Sequence, residues 1–132
     1  MAQVLLDTTV LVDVLRGREG AARGLLMLRE RGDTPCTCAI NVEETVRGLR
    51  EGERDRAAAL LTGLTVIPLG RSEGELAGRW RGDYAKRGRT LAQADCLIAS
   101  AASLSRSRLA TGNPKDFPMT DQLEVEYWPA GE

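Results

Sequence analysis

The chain has 132 residues, a formal net charge of −1 and no histidine. That length suffices for one domain, 1–132, burying roughly two thirds of the surface its unfolded form would expose, and that charge excludes a global basic field advertising nucleic-acid binding. Without an imidazole, Ser-His-Asp and Cys-His nucleophile activation, histidine-based ribonuclease chemistry and most zinc sites are excluded, which leaves carboxylates, hydroxyls and metal-activated water.

In chain order, Val4 to Leu6 reads as a first strand with Asp7 at its carboxyl end. A helix follows at once, since Val10, Leu11, Val14 and Leu15 place an apolar stripe on one side. A second helix covers Glu19 to Arg31, with Leu25, Leu26 and Leu28 as its core face and Gly32-Asp33 as its stop. Thr34 to Ile40 reads as a second strand, Val42 to Arg50 and Arg54 to Leu61 as helices, and Leu64 to Leu69 as a strand whose Pro68 suits an edge or an end. Ser72 to Lys86 reads as a helix opened by a Ser72/Glu75 capping box, and Leu91 to Leu104 is the most apolar helix. Arg108 to Thr111 and Leu123 to Trp128 supply the last strands.

Strands separated by helices predict an α/β fold with a central, mostly parallel sheet flanked by helices, in which sites form at the carboxyl ends of strands. The longest charge-free stretch, Ala57 to Gly70, is short of the ~18 apolar residues of a membrane span and is broken by Gly63 and Pro68. The amino terminus has neither a basic leader nor a long apolar core, so a soluble cytoplasmic protein is expected, with no membrane partner. Cys36, Cys38 and Cys96 show no Cys-x-x-Cys spacing and read as reduced core residues rather than a three-thiolate zinc site.

Four acids stand in apolar or turn-forming contexts: Asp7, Glu44, Asp95 and Asp116. A carboxylate beside a buried apolar run is costly unless compensated, and converging carboxylates are hard ligands suited to Mg²⁺ or Mn²⁺. Each has a purely structural alternative. Asp7 sits where it could cap the following helix, Glu44 closes a capping box with Asn41, and Asp116 lies in an Asx-rich turn. Asp95 resists such an explanation, because Ala94-Asp95-Cys96-Leu97-Ile98-Ala99 sets a poor helix former among apolar neighbours. Sixteen of the 18 basic residues are arginines, and Arg79, Arg81, Lys86, Arg87 and Arg89 cluster upstream of Asp95, either as a phosphate-binding rim or as a solvated helix end.

Four segments, Val4 to Gly17, Ile40 to Gly48, Ala94 to Ala102 and Leu109 to Phe117, together resemble the PIN-domain nucleases, and among them the VapC-type toxins of bacterial toxin–antitoxin pairs. No single motif is very specific, but their order and spacing span nearly the whole chain. The resemblance implies that Asp7, Glu44, Asp95 and Asp116 are the catalytic acids, with Asp7 and Asp95 holding one Mg²⁺ or Mn²⁺ directly. Glu44 and Asp116 would complete the shell or orient the attacking water. Glu44 rather than Glu43 matches, standing four residues before Gly48. Thr9 falls where the family places a hydroxyl near the metal, and Asn113 at a polar, sometimes acidic, position.

What the resemblance further implies is an endoribonuclease toxin cleaving transfer RNA or other structured RNA, leaving 5′-phosphate and 3′-hydroxyl ends. It also implies a homodimer and a VapB-type antitoxin, with DNA reached only through that antitoxin. The arginines Arg79, Arg81, Arg87 and Arg89 would then contact RNA. Two readings from other classes stand beside it: a receiver-type signalling domain, opposed by the lack of an aspartate after the strand at Thr65 to Leu69, and a catalytically inert PIN-like binding subunit. A phosphatase using Asp7 is weaker, because Thr9 stands where its second aspartate belongs.

Overall fold

The computed structural model describes residues 2–131. The strands are β1 (Gln3–Leu6), β2 (Thr34–Cys38), β3 (Thr65–Ile67), β4 (Arg108–Thr111) and β5 (Val125–Tyr127). Helices α1 (Thr8–Leu15) and α2 (Glu19–Glu30) connect β1 to β2, α3 (Ala39–Arg47) and α4 (Arg54–Thr62) connect β2 to β3, and α5 (Arg71–Lys86) and α6 (Gln93–Leu104) lead to β4. A single 3₁₀ turn, Pro114–Asp116, lies between β4 and β5.

These helical crossovers are what parallel strands require, and the sheet, in the order β3-β2-β1-β4-β5, is parallel throughout. The expected α/β fold is therefore borne out. The chain begins at the centre, winds outward to β3, then returns to the other side of β1 to lay down β4 and β5. β1 and β4 consequently flank the point where strand order reverses, and a crevice opens there at their carboxyl ends.

The central strands are buried on both faces, as parallel sheets require. Val4, Leu6 and Ala110 pack with Val10, Leu11, Leu25 and Leu28 on the α1/α2 side. Leu5, Leu109, Cys36 and Cys38 pack with Ile98, Ala99 and Phe117 on the α6 side. Each fully buried leucine contributes about 1.5–3 kcal/mol relative to exposure. The three thiols are free and buried, as small core residues.

Several boundaries depart from the sequence reading for identifiable reasons. Strand β2 ends at Cys38 because the Asn41 side chain accepts a hydrogen bond from the Cys38 N–H at 3.3 Å, which starts α3 three residues before the expected Val42. Asn41 thus belongs inside the helix, and no Asn41/Glu44 capping box forms. Helix α5 opens at Arg71 rather than Ser72, with Glu73, not Glu75, accepting from the Gly70 N–H at 2.6 Å. Leu26 is 58% exposed, so the core face of α2 is Leu25 and Leu28 with Ala21. Helix α6 starts at Gln93, Leu91 being buried in the extended segment before it.

Helix α6 ends in a Schellman turn, the Arg106 N–H donating to Ser103 and the Ser107 N–H to Ala102. This places Arg106 at φ +58°, a left-handed conformation that favours glycine. Among the described residues no helix is long and apolar enough to cross a membrane.

Candidate active site

The crevice at the carboxyl ends of β1 and β4 is a cavity of about 720 Å³, and all four acids singled out in the sequence line it. Asp7 arrives there directly from β1. Its backbone N–H continues the pairing with β4, donating to the Ala110 carbonyl at 2.9 Å. Asp7 occupies the cap position of α1, but its side chain makes no capping bond. Instead its Oδ2 accepts from the hydroxyls of Thr111, at 2.8 Å, and Thr9, at 3.2 Å.

Those hydroxyls are themselves fixed, because Gly112 N–H donates to Thr9 Oγ1 and Asn113 N–H to Thr111 Oγ1. The first turn after β1 and the turn after β4 are thereby joined around one carboxylate. Burial pushes the Asp7 carboxyl above its ordinary range, opposed by the Thr111 hydrogen bond and reinforced by the nearby Glu44.

Glu44 stands on α3 and accepts from the Thr8 hydroxyl at 2.6 Å. Thr8 in turn accepts from the side-chain amide of Asn41, a fully buried residue. The same early start of α3 that the sequence reading missed therefore sets the position of an acid that it found. Asp116 ends the 3₁₀ turn, where the Asn113 amide donates to its Oδ2 at 2.6 Å. Asn113 does not line the cavity but orients a residue that does.

Asp95 lies in the first turn of α6, where the positive end of the helix dipole favours an anion. None of the side-chain hydrogen bonds or ion pairs found among the described residues involves it. Its carboxyl is pushed up to about 6, by burial first and then by the charges of Asp116, Asp7 and Glu44. Asp13 adds a fifth acid to the wall, against one cation, Arg47.

That donor set fits a hard divalent ion: carboxylates concentrated in one crevice, two of them with raised pKa and no cation paired to them. Among the described residues no three acidic or thiol groups stand close enough to form a ready-made ligand cluster. An ion held there would draw on one or two of these carboxylates, with water completing its shell.

The arginine cluster lies elsewhere. None of Arg79, Arg81, Arg87 and Arg89 lines the cavity. Arg81 donates to the Leu91 carbonyl, Arg87 stacks 4.1 Å above the Tyr84 ring, Arg79 is exposed, and Arg89 donates to the Lys115 carbonyl beside Asp116. Sequence reasoning gave Arg47 and Thr8 no role, and read Asn41 as a capping partner and Thr111 as a strand end. A Thr-Thr pair after Asp7 was a signal available for Thr8, whereas Arg47 is an ordinary helix-end arginine until the fold is known.

The sequence profile of the PIN domain matches residues 4–122. The chain belongs to the PIN-domain family. Over 127 residues it is 32% identical to Ribonuclease VapC19 of Mycobacterium tuberculosis, covering 93% of this chain and 98% of that relative. Over 128 residues it is 31% identical to Ribonuclease VapC10 of the same organism, covering 94% and 92%. Among solved structures, VapBC2 from Rickettsia felis, bound to a DNA fragment from its promoter, shares the fold with a TM-score of 0.83 at 22% identity, covering 96% of this chain and 98% of that one. The PIN-domain and VapC-type resemblance drawn from the four segments is thus borne out.

Proposed function

We propose that this PIN-domain chain, acting as one domain over 1–132, is a divalent-metal-dependent endoribonuclease and the toxin of a toxin–antitoxin pair. The observation that carries the reading is the convergence of Asp7, Glu44, Asp95 and Asp116 on one cavity, with Asp95 left without a neutralising partner among the described residues. Asp7 and Asp95 are the residues that would hold Mg²⁺ or Mn²⁺. Bound there, the ion would polarise a phosphate oxygen and make water a stronger nucleophile near neutral pH.

The chain's own groups supply orientation and proton transfer. Thr111 and Thr9 fix one oxygen of Asp7, so that carboxylate needs little rearrangement when ion or substrate arrives. Glu44, held by Thr8, and Asp116, held by Asn113, would orient water and accept its proton. The water oxygen bonds to phosphorus, the bond to the 3′ oxygen breaks, and that oxygen takes a proton. Products with 5′-phosphate and 3′-hydroxyl ends follow, and the lack of histidine supports this outcome over attack by the 2′-hydroxyl.

Similarity to two proteins named Ribonuclease VapC supports RNA as the substrate; transfer RNA or another structured RNA is the form this proposal adds. Similarity in fold to VapBC assemblies supports a VapB-type antitoxin as partner. A homodimer, a cytoplasmic location and DNA reached only through that antitoxin belong to the same proposal. The test is cleavage of total and transfer RNA by purified, antitoxin-free protein with Mg²⁺ or Mn²⁺. Discrete fragments that disappear with EDTA and with Asp95→Asn are expected. Intact RNA in the presence of folded, metal-binding protein would favour an inert binding subunit.

A further inference from the structure

Resting on the ribonuclease reading, we propose that Tyr127 is the platform on which an unpaired RNA base stacks beside the scissile phosphate. The chain has five aromatic side chains, two Trp, two Tyr and one Phe. Phe117, Trp80 and Trp128 are buried, and the half-buried Tyr84 carries the Arg87 guanidinium over its ring. Tyr127 alone among them is exposed, at 59%, and it lines the acidic cavity together with Asp7, Asp95 and Asp116.

Single exposed apolar residues such as Val66 or Leu104 are ordinary on a protein surface. Tyr127 differs in being held in place from both sides. Strand pairing sets it opposite Thr111, the residue whose hydroxyl fixes Asp7, and the next N–H, that of Trp128, donates to the Thr111 carbonyl at 2.8 Å. On one flank, Glu126 accepts from Arg108 at 3.1 Å and from the Trp128 indole at 2.9 Å.

On the other flank, α2 presents a glycine cradle. A side chain at Gly24 would meet the Trp128 ring at 2.7 Å, and one at Gly20 would meet the Ala130 carbonyl oxygen at 2.6 Å. These two glycines let the terminal segment lie close against α2, which seats Trp128 and fixes the residue before it. With its backbone already fixed and only two side-chain torsions to order, Tyr127 costs little ordering when a base stacks on its ring.

The chemistry selects the form of the substrate. In a duplex the bases are stacked inside and present no free face, whereas loop and single-stranded bases can splay onto an aromatic ring. Any base suffices for such a contact, so Tyr127 favours unpaired RNA without reading its sequence. Arg47, the one cation among the described residues of the cavity wall, is available to the adjoining phosphate.

The experiment uses Asp95→Asn protein, which binds without cutting, and a short labelled oligoribonucleotide presented single-stranded or as a blunt duplex. Adding Tyr127→Ala or Tyr127→Leu weakens single-strand binding about tenfold and leaves duplex binding unaltered, and Tyr127→Phe restores what alanine loses. Unfolding temperatures of the variants stay together because the ring is exposed. Equal affinity of the Ala variant for the single strand, or an equal loss on both probes, overturns the proposal. Transfer-RNA cleavage with Asp95 intact separates the two readings. If wild type and Tyr127→Ala both cut normally, and EDTA stops both, Tyr127 is idle while the ribonuclease reading survives; if wild type cuts no RNA, both readings fall.

Discussion

The two ends of the sheet treat their carboxylates in opposite ways. At the amino end Arg108 bridges Asp33 and Glu126, both at 3.1 Å, and the Ala2 N–H donates to Asp33 at 3.1 Å. That backbone bond first, and Arg108 second, hold the Asp33 carboxyl below its ordinary range. At the carboxyl end five acids share one cavity with Arg47 as the one cation among the described residues that line it, and Asp7 and Asp95 are pushed upward. Charges that serve the fold are paired within the chain. Among the described residues, Asp7 and Asp95 at the crevice have no such ion pair.

The largest expected effect comes from removing one of the unpaired charges. Asp95→Asn should lower cleavage by about a hundredfold or more, as loss of a group stabilising charge in the transition state does, while circular dichroism shows an intact fold. Arg108→Ala should do the reverse, lowering Tm by about 5 °C through loss of its partners with cleavage per folded molecule unchanged. A loss of activity with Arg108→Ala at full stability would erase the distinction between the two ends.

Metal sharpens the comparison. Mg²⁺ or Mn²⁺ at a hundred times its dissociation constant should stabilise the protein by about 2.7 kcal/mol, with EDTA reversing the shift in Tm. Asp95→Asn should blunt this gain, and Arg108→Ala should not.

The two ends also respond to pH with opposite sign. Asp95 has its folded-state pKa raised from 3.8 to about 6, so its contribution to stability is fully present below 3.8 and is lost as pH rises through 6. Without metal, Asp95→Asn should therefore exceed wild type in stability at neutral pH by about 1 kcal/mol, the half-exposed carboxyl being partly screened by solvent, and lose that advantage in acid. Asp33 is lowered from 3.8, so its contribution is present above 3.8 and is lost as pH falls further. Urea titrations of wild type, Asp95→Asn and Asp33→Asn at several pH values measure both slopes. The smallest effect lies at the amino end, in the turn that leads into β4: Arg106→Gly should stabilise by about 0.5–1 kcal/mol by relieving its left-handed backbone.

Local signals carried much of the fold and of the site. The alternation of Val4, Leu5 and Leu6 between two apolar faces, and the helical spacing of Val10, Leu11 and Leu15, gave β1 and α1 because burial periodicity is written in adjacent residues. Asp95 was legible for the same reason, since an acid in an apolar helix is anomalous without reference to anything distant. Leu26 shows where this fails, for three leucines in a helix do not say which of them meets the sheet. The start of α3 was misplaced because the Asn41 cap acts through a side chain, and its composition suited either position.

What the sequence by itself determined is the alternation of strands and helices, the absence of imidazole chemistry and the identity of four acids out of place. Those properties depend on residue type and near neighbours alone. Only the tertiary structure decided that Thr8 and Thr111 secure two of the acids, that Arg47 rather than the Arg79 to Arg89 cluster faces them, and that Tyr127 stands at their edge. These residues are far apart in the chain, and what joins them is the reversal of strand order between β1 and β4, which no local window contains.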